Sequence, residues 1–186
     1  GYGLDGALRS APHGRGTKDF DKANFCLAPV RVETLCGFVY FNIDPDAAPL
    51  ATGLGDFEAE FLSFGREPEK LVRAYRKEID VKANWKNVIE NYDECYHCLP
   101  SHPTLMAAAL DMKSYRIDVH DAYHVHTSGN RGEKQGYSFS PEEGPRGGDF
   151  ASWLIWPNTV FEYYPGSKLT LFHNAPLGPE RTLQTI

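Results

Sequence analysis

The chain has 186 residues with 41% hydrophobic and 13% aromatic content, enough to bury the core of one domain, or of one domain and part of another. Its net charge of -6, with no concentrated run of Lys or Arg, argues against a nucleic-acid or anionic-membrane surface. The sequence contains no stretch near the roughly 20 apolar residues of a membrane span and no secretory leader, so we expect a cytoplasmic protein. Four cysteines do not make a disulfide scaffold at this length, and we expect reduced thiols.

The first part of the chain predicts a small β unit. The run PVRVETLCGFVYFNI combines β-branched and aromatic residues between Pro and Gly. The segment NIDPDAAPL that follows has the prolines and aspartates typical of a connection between packed units, and we place a boundary near Pro49. The chain opens without an initiator Met and closes in TLQTI, which reads as a strand cut short, so we expect a fragment of a longer protein.

The middle of the chain predicts two helices with a strand between them. GDFEAEFLSFG has the apolar spacing of a short amphipathic helix that ends at Gly65. LVRAYRKEIDVKAN alternates as a long strand with one solvated face. Helical spacing then returns from Trp85 to His97, and Pro100 and Pro103 are expected to end that helix.

The last third of the chain predicts strands. Three runs rich in β-branched and aromatic residues follow Met112, with a loop rich in Gly, Pro and Glu between Ser140 and Asp149. The runs are SYRIDVHDAYHVHTS, FASWLIWPNTVFEYYPG and KLTLFHNAPL. An antiparallel sheet packed on helices, an α+β fold, summarises this pattern.

Glu94, His97 and His102 form the pattern E-x2-H-x4-H at the end of the predicted helix. On a helix, Glu94 and His97 lie roughly 60° apart on one face, whereas His102 would lie roughly 140° from His97. A break at Pro100 would let the chain turn His102 back towards His97. Paired histidines at a helix end are often only capping groups, but the adjacent carboxylate, the aromatic neighbours and the Pro turn favour a metal site.

The segment ANWKNVIENYDECYHCLPSHPTL closely resembles the mononuclear-iron motif in the α subunits of Rieske non-haem iron oxygenases, a family of ring-hydroxylating oxygenases and their quaternary-amine relatives. GYGLDGALRSAPH and GFVYFNIDPDAAPL resemble the end of that family's Rieske domain, and WPNTVFEYYPG resembles a strand of its catalytic sheet. The resemblance implies a C-terminal remnant of a Rieske 2Fe-2S domain and linker over residues 1–49. It implies the N-terminal part of a helix-grip, START-like catalytic domain with an antiparallel sheet over residues 50–186.

The resemblance also implies the ligands of the iron. His97 and His102 match the two imidazole ligands of Fe(II) in a facial triad. The family's third carboxylate ligand lies well downstream, and we expect it beyond Ile186. Asp111, Asp118, Asp121 and Asp149 do not lie in segments that resemble the family's third-ligand segment.

Electron delivery in this family uses the carboxylate three residues before the first histidine, which bridges to the Rieske cluster of a neighbouring subunit. Glu94 matches that position, and Glu rather than Asp resembles the branch that acts on carnitine, glycine betaine and related methylated amines. The 2Fe-2S cluster requires C-x-H and C-x2-H motifs. Cys95 and His97 match C-x-H only formally, so we expect the cluster ligands before Gly1 and none in this chain.

The function implied is that of the oxygenase component, which hydroxylates a quaternary or N-methylated amine with O2 and leads to demethylation or C–N cleavage. Electrons would come from NAD(P)H through a flavin and iron-sulfur reductase, and relatives form trimers. A ring-hydroxylating dioxygenase acting on an aromatic compound is the alternative within the family. A hydrolytic zinc site and a helix-grip ligand-binding module without catalysis are alternatives outside it.

Three further sets of residues have competing interpretations. His124 and His126 share one strand face and suggest pocket-wall or hydrogen-bonding roles more than a second metal site. Cys95 and Cys98 form C-x2-C without the second pair that a structural zinc needs, which favours small buried residues. A group of aromatic residues could frame a cationic N-methyl group, although core packing is the favoured role for each. The group is Trp153, Trp156, Phe161, Tyr163 and Tyr164.

Overall fold

A computed structural model of the chain describes residues 1–65, 67–108, 110–129, 146, 148–164 and 168–186. The chain divides into two compact units, Gly1–Leu50 and Ala51–Ile186. Most of the predicted Ser140–Asp149 loop lies outside the described residues. Within the described ranges, none of the helices is both long enough and apolar enough to cross a membrane.

The first unit is built around a β-hairpin. Strands β1 (Arg31–Leu35) and β2 (Phe38–Asn42) pair antiparallel, with Leu35 opposite Phe38 next to the turn. Cys36 and Gly37 form that turn with φ of 49° and 77°, and two successive positive φ values match the twist of a tight hairpin. The hairpin confirms the small β unit predicted in this segment.

The second unit contains helices and an antiparallel sheet, which confirms the predicted α+β class. In the described part of the unit, the strands form a seven-stranded sheet in the order β3-β9-β8-β7-β6-β5-β4. The helices are α1 (Leu50–Leu54, which begins at the unit boundary), α2 (Phe57–Ser63), α3 (Trp85–Asp93), α4 (Cys98–Ser101) and α5 (Pro103–Ala108). The strands are β3 (Glu78–Val81), β4 (Arg116–Val119), β5 (Tyr123–Ser128), β6 (Phe150–Ile155), β7 (Thr159–Tyr164), β8 (Lys168–Gly178) and β9 (Arg181–Thr185).

One face of the sheet packs against α2 through aromatic rings. Phe61 is 1% exposed, and its ring centroid lies 5.2 Å from that of Trp153 and 5.9 Å from that of Phe161. The Tyr163 hydroxyl donates a hydrogen bond of 2.7 Å to the backbone carbonyl of Phe64 at the end of this helix. Because strand residues alternate between faces, Trp153 of β6 and Phe161 and Tyr163 of β7 share this aromatic core.

The opposite face of the sheet packs against α3. Ile89 of the helix is 3% exposed and packs with Leu154 and Val160, which are opposite each other on β6 and β7. Tyr92, one turn further along the helix, packs its ring 5.5 Å from that of Phe172. The second half of α3 is therefore held against the sheet, and this contact positions the residues that follow the helix.

The long strand predicted before α3 is shorter in the structure. Strand β3 covers only Glu78–Val81, because these are the residues that pair with β9. Leu71 and Val72 are exposed, and among the described residues no strand pairs with residues 71–76. The alternating pattern of residues 71–76 therefore does not correspond to a paired strand in the described part of the chain.

Candidate metal centre

Helix α3 begins and ends at identifiable side chains. The Asn84 side chain caps its start by accepting a hydrogen bond of 3.0 Å from the backbone N–H of Lys86. The helix ends at Asp93, and Glu94 is extended with φ of -120° and ψ of 147°. The prediction of a helix through His97 was thus wrong by four residues.

The Glu94 carboxylate explains the early end of the helix. One of its oxygens accepts hydrogen bonds from the backbone N–H groups of Tyr96 and, at 3.2 Å, of His97. An acidic side chain that binds nearby backbone N–H groups offers them an alternative to the helical ladder. Glu94 and His97 are consequently neighbours through a turn and not through a shared helical face.

Pro100 was predicted to end a helix, and this prediction was wrong. The residue lies inside the short helix α4. It occupies the first turn, where the missing N–H of proline removes no helical hydrogen bond. His102 follows with φ of -125° and ψ of 56°, and its backbone N–H donates to the Cys98 carbonyl at 2.9 Å. The tight turn of α4 returns His102 towards His97, as the sequence spacing required.

The imidazoles of His97 and His102 point at each other. Their Nε2 atoms are 3.2 Å apart and their ring centroids are 5.1 Å apart. With metal–nitrogen bonds of roughly 2.1 Å, two ligands at this separation would subtend an angle of about 100° at one ion. The pair therefore fits two adjacent positions around a single transition metal such as Fe(II).

Glu94 orients the first of these imidazoles. Its second carboxylate oxygen lies 2.5 Å from His97 Nδ1, and the hydrogen bond with His97, partly opposed by desolvation, lowers the pKa of the Glu94 carboxyl. A carboxylate can only accept, so the proton of a neutral His97 lies on Nδ1. The lone pair of Nε2 is then available for a metal, which is the usual tautomer of a ligand held by a carboxylate.

Cys95 and Cys98 form a disulfide that flanks His97. This finding corrects the expectation of reduced thiols for this pair. The backbone N–H of Cys98 donates to the Cys95 carbonyl at 3.1 Å, and this turn brings the two Cα atoms within 4.9 Å. That distance lies in the range that a disulfide spans, so the local turn and not the number of cysteines decides this pairing.

Asp93 joins the end of α3 to β5. Its two carboxylate oxygens lie 3.0 Å from His124 Nδ1 and 3.2 Å from His126 Nε2. His126 Nδ1 in turn lies 2.6 Å from the Tyr115 hydroxyl. The two histidines therefore have the hydrogen-bonding role that was favoured for them, and Asp93 and Tyr115 are members of this network that sequence reasoning missed.

A cavity of about 420 Å³ opens beside the two metal-binding candidates. Helices α3 to α5 contribute its histidine side, and the sheet contributes the other wall. The sheet residues include His126, Ser152 and Glu162, which are directly opposite one another on β5, β6 and β7. The volume lies in the range of small-molecule sites.

Glu162 is an acidic residue of this cavity that the sequence pattern did not single out. Its carboxylate accepts a hydrogen bond of 2.7 Å from the Tyr164 hydroxyl and a further hydrogen bond from Tyr92. Burial raises the pKa of the Glu162 carboxyl more than these two hydrogen bonds lower it. The available signal was a lone acidic residue at an inward position of the aromatic strand VFEYY.

The five aromatic candidates separate into three groups. Trp153, Phe161 and Tyr163 are at most 1% exposed and form the core beneath α2, which confirms the favoured packing role. Trp156 is 62% exposed, so core packing was wrong for this residue. Tyr164 lines the cavity and is the member of the group that could face a bound ligand.

In the part of the chain that the structure describes, no cluster of three His, Cys, Asp or Glu side chains is arranged to hold a metal. The pair of His97 and His102 is therefore not completed by any of four aspartates, Asp111, Asp118, Asp121 and Asp149. A third ligand beyond Ile186 stays a prediction, as does the position of the 2Fe-2S ligands.

Comparison with protein families identifies the class. Residues 68–186 match the model of the ring-hydroxylating α subunit, catalytic domain. The chain belongs to this family, which confirms the resemblance inferred from the iron motif. Its helices and antiparallel sheet are the catalytic fold of the Rieske oxygenases.

The chain is similar in sequence to oxygenase subunits that are named for quaternary amines. The carnitine monooxygenase oxygenase subunit of Escherichia coli K12 is 33% identical over 184 residues, covering 98% of this chain and 48% of the relative. The glycine betaine monooxygenase oxygenase subunit of Pseudomonas aeruginosa UCBPP-PA14 is 36% identical over 110 residues, covering 59% of this chain and 25% of the relative. The chain spans about half the length of the carnitine monooxygenase subunits that it matches.

Solved structures agree with these relatives. A crystal structure of the quaternary ammonium Rieske monooxygenase CntA with an inhibitor matches with a TM-score of 0.83 and 31% identity, over 99% of this chain and 48% of that chain. Naphthalene 1,2-dioxygenase with indole bound matches with a TM-score of 0.70 and 19% identity, over 99% of this chain and 49% of that one. The second likeness shows the shared fold alone.

Proposed function

We propose that the chain is part of the oxygenase component of a Rieske non-haem iron oxygenase that hydroxylates a quaternary or N-methylated amine with O2. The observation that supports this most directly is the pair of Nε2 atoms 3.2 Å apart at the wall of an aromatic cavity. The relatives named for carnitine and glycine betaine support the class of substrate. Hydroxylation of an N-methyl or N-methylene carbon would lead to demethylation or C–N cleavage.

His97 and His102 are proposed to hold Fe(II), with a carboxylate beyond Ile186 as the third ligand. The bound iron would supply the activation of dioxygen, which no protein side chain provides. The residues of this chain supply geometry: Glu94 holds the Nδ1 proton of His97, and the turn of α4 directs His102 towards the same point. The cavity beside the pair would hold the substrate carbon within reach and exclude bulk water.

Glu94 has a second proposed role as the bridge to the Rieske cluster of a neighbouring subunit. Its carboxyl contacts His97 and is also partly exposed, so the same group could contact His97 and a residue of the neighbouring subunit. The proposal includes residues 1–49 as the end of the Rieske domain and residues 50–186 as the start of the catalytic domain. It also includes a flavin and iron-sulfur reductase that draws electrons from NAD(P)H, a homotrimer and a cytoplasmic location.

Replacement of His97 by Ala in the full-length protein tests the proposal. The variant is expected to lose most of its mononuclear iron and its amine-dependent oxygen uptake with a reductase, because one of three protein ligands is missing. Lys113→Ala, an exposed change outside the cavity, is the control and should behave as the wild type. Zinc at full occupancy with hydrolysis and no oxygen uptake would instead support the hydrolytic alternative, and unchanged iron content would contradict the ligand assignment.

A further inference from the structure

We propose that Glu162 selects for a cationic group in the substrate, by presenting a carboxylate to the cavity that the two metal-binding histidines share. This inference rests on the proposed function and adds the residue that recognises the charge of the ligand. Glu162 lies on β7, on the sheet face turned towards α3, in register with Ser152 on β6. The alternation of the strand directs it into the cavity, while Phe161 and Tyr163 on either side face the aromatic core.

The Glu162 carboxylate has no Lys or Arg partner in the described lining of the cavity. The hydrogen bonds from Tyr164 and Tyr92 orient the carboxylate, but phenol groups do not neutralise its charge. A buried carboxylate with no counter-ion is unfavourable, and a cationic ligand would stabilise the charged form of the group.

The hydroxyl groups form a connected chain that would hold Glu162 in one orientation. Ser152 Oγ donates to the Tyr92 hydroxyl at 3.4 Å, Tyr92 hydrogen-bonds to Glu162, and Tyr164 does so from the other side. Burial and the nearby Glu162 carboxyl keep the pKa of Tyr92 well above its usual value, so Tyr92 remains a protonated donor. The carboxylate is therefore fixed before a ligand arrives, which reduces the entropy lost on binding.

The neighbouring rings define the kind of cation. Phe150 packs 5.4 Å from the Tyr164 ring, and Phe172 packs 5.5 Å from the Tyr92 ring, so aromatic groups flank the carboxylate on both sides. Aromatic faces attract a cation without requiring it to donate a hydrogen bond. A methylated ammonium group, which presents methyl groups around a positive charge, suits this combination better than a primary ammonium group, which needs several acceptors.

The test compares a cation with its uncharged isostere. γ-Butyrobetaine and 5,5-dimethylhexanoate have the same shape, but a quaternary carbon replaces the quaternary nitrogen in the second compound. Calorimetric titration of the full-length wild-type protein should show at least tenfold tighter binding of the cation. Glu162→Gln keeps the size of the side chain and removes its charge, and it should weaken binding of the cation roughly 10- to 100-fold while binding of the isostere is unchanged.

Two further variants control for folding and for net charge. Glu162→Asp keeps the charge and should retain the preference for the cation, which keeps the inference testable if Glu162→Gln folds poorly. Glu90→Gln removes an exposed carboxylate of α3 and should bind both compounds as the wild type does. A Glu162→Gln variant that keeps the full preference for the cation would overturn the inference and leave Glu162 as a support for its two tyrosines.

Failure of this inference is separable from failure of the proposed function. Amine-dependent oxygen uptake by the wild type, together with an unchanged preference in Glu162→Gln, would refute only the role of Glu162. Binding of the cation that depends on Glu162, without oxygen uptake, would refute only the proposed reaction. A wild-type protein that binds both compounds equally would overturn the inference whatever its oxygen uptake.

Discussion

Glu94 has several partners within four residues of chain. Its carboxylate accepts from the backbone N–H groups of Tyr96 and His97 and from the His97 ring, and these bonds hold the loop between α3 and α4. A carboxylate that fixes the ring of a metal ligand is usually required for full metal affinity. Glu94 can therefore serve as a positioning residue independently of any role in electron transfer.

Replacement of Glu94 by Ala is expected to weaken binding of ferrous iron to the full-length protein by roughly 10- to 100-fold, because His97 loses the partner of Nδ1. Anaerobic titration with Fe(II) measures the effect directly. Glu90→Ala, an exposed carboxylate on the preceding helix, is the matched control and should leave the iron affinity unchanged. Normal iron affinity together with lost oxygen uptake would assign Glu94 to electron transfer and not to positioning.

Helix α2 is held to the sheet almost entirely by aromatic side chains. Phe57 and Phe61 are buried, and Leu62 on the neighbouring face is 41% exposed. The ring of Phe57 lies 5.4 Å from that of Tyr123 and meets it edge-on, at an angle of 75°. Large rings bury much area in few residues, which explains how a helix of only seven residues is anchored.

The Phe61→Ala substitution is expected to lower the free energy of unfolding by about 3–5 kcal/mol, since it leaves a cavity between Trp153 and Phe161. Leu62→Ala on the same helix should lower it by less than about 1 kcal/mol, because that side chain is largely in water. Urea unfolding of both variants, followed by tryptophan fluorescence, provides the comparison. Equal losses in the two variants would contradict the packing described for α2.

At the scale of the whole molecule, Asp93 at the end of α3 and Glu162 on β7 make opposite contributions to the pH dependence of stability. Burial raises the pKa of Asp93, but the hydrogen bonds from His126 and His124 lower it by a larger amount. The pKa of Asp93 therefore lies below its ordinary value. The stability that Asp93 provides is present above its unfolded pKa of about 4 and is lost as the pH falls through its folded pKa. Burial raises the pKa of Glu162, so its contribution is fully present below its unfolded pKa and is lost as the pH rises through its folded pKa.

The two groups are expected to respond differently to removal of their charge. Asp93→Asn should lower the free energy of unfolding at pH 7 by about 1 kcal/mol and reduce the loss of stability on acidification. Glu162→Gln should raise it at pH 7 by about 1 kcal/mol in the absence of ligand, because a buried charge is removed. Urea unfolding from pH 4 to pH 8 measures the change in the free energy of unfolding for both variants. A loss of stability in Glu162→Gln at pH 7 would contradict the prediction for Glu162.

Much of the fold and the centre of the site follow from local sequence. The β-branched and aromatic residues in runs such as VRVETL and VFEYY predict strands because these side chains pack well on a pleated surface. The spacing of His97 and His102 requires a break in the helix, which the sequence predicted at Pro100, whereas in the structure helix α3 already ends at Asp93. The assignment of residues 1–49 to a Rieske domain rests on resemblance and stays a prediction.

Other features depended on contacts between residues distant in the sequence. Asp93 meets His124 and His126, some 30 residues away, only because α3 packs across the sheet. Glu162 reaches the cavity of His97 through the pairing of β6 with β7, and a single strand does not reveal which of its faces will border a cavity. The end of α3 at Asp93 and the Cys95–Cys98 bond are instead local, and they depend on a turn whose hydrogen bonds compete with the helix, a competition that helical spacing does not reveal. Sequence alone therefore determined the types of the main elements and the candidate pair His97 and His102, because those signals are local, whereas the polar lining of the cavity was decided by strand register and helix packing.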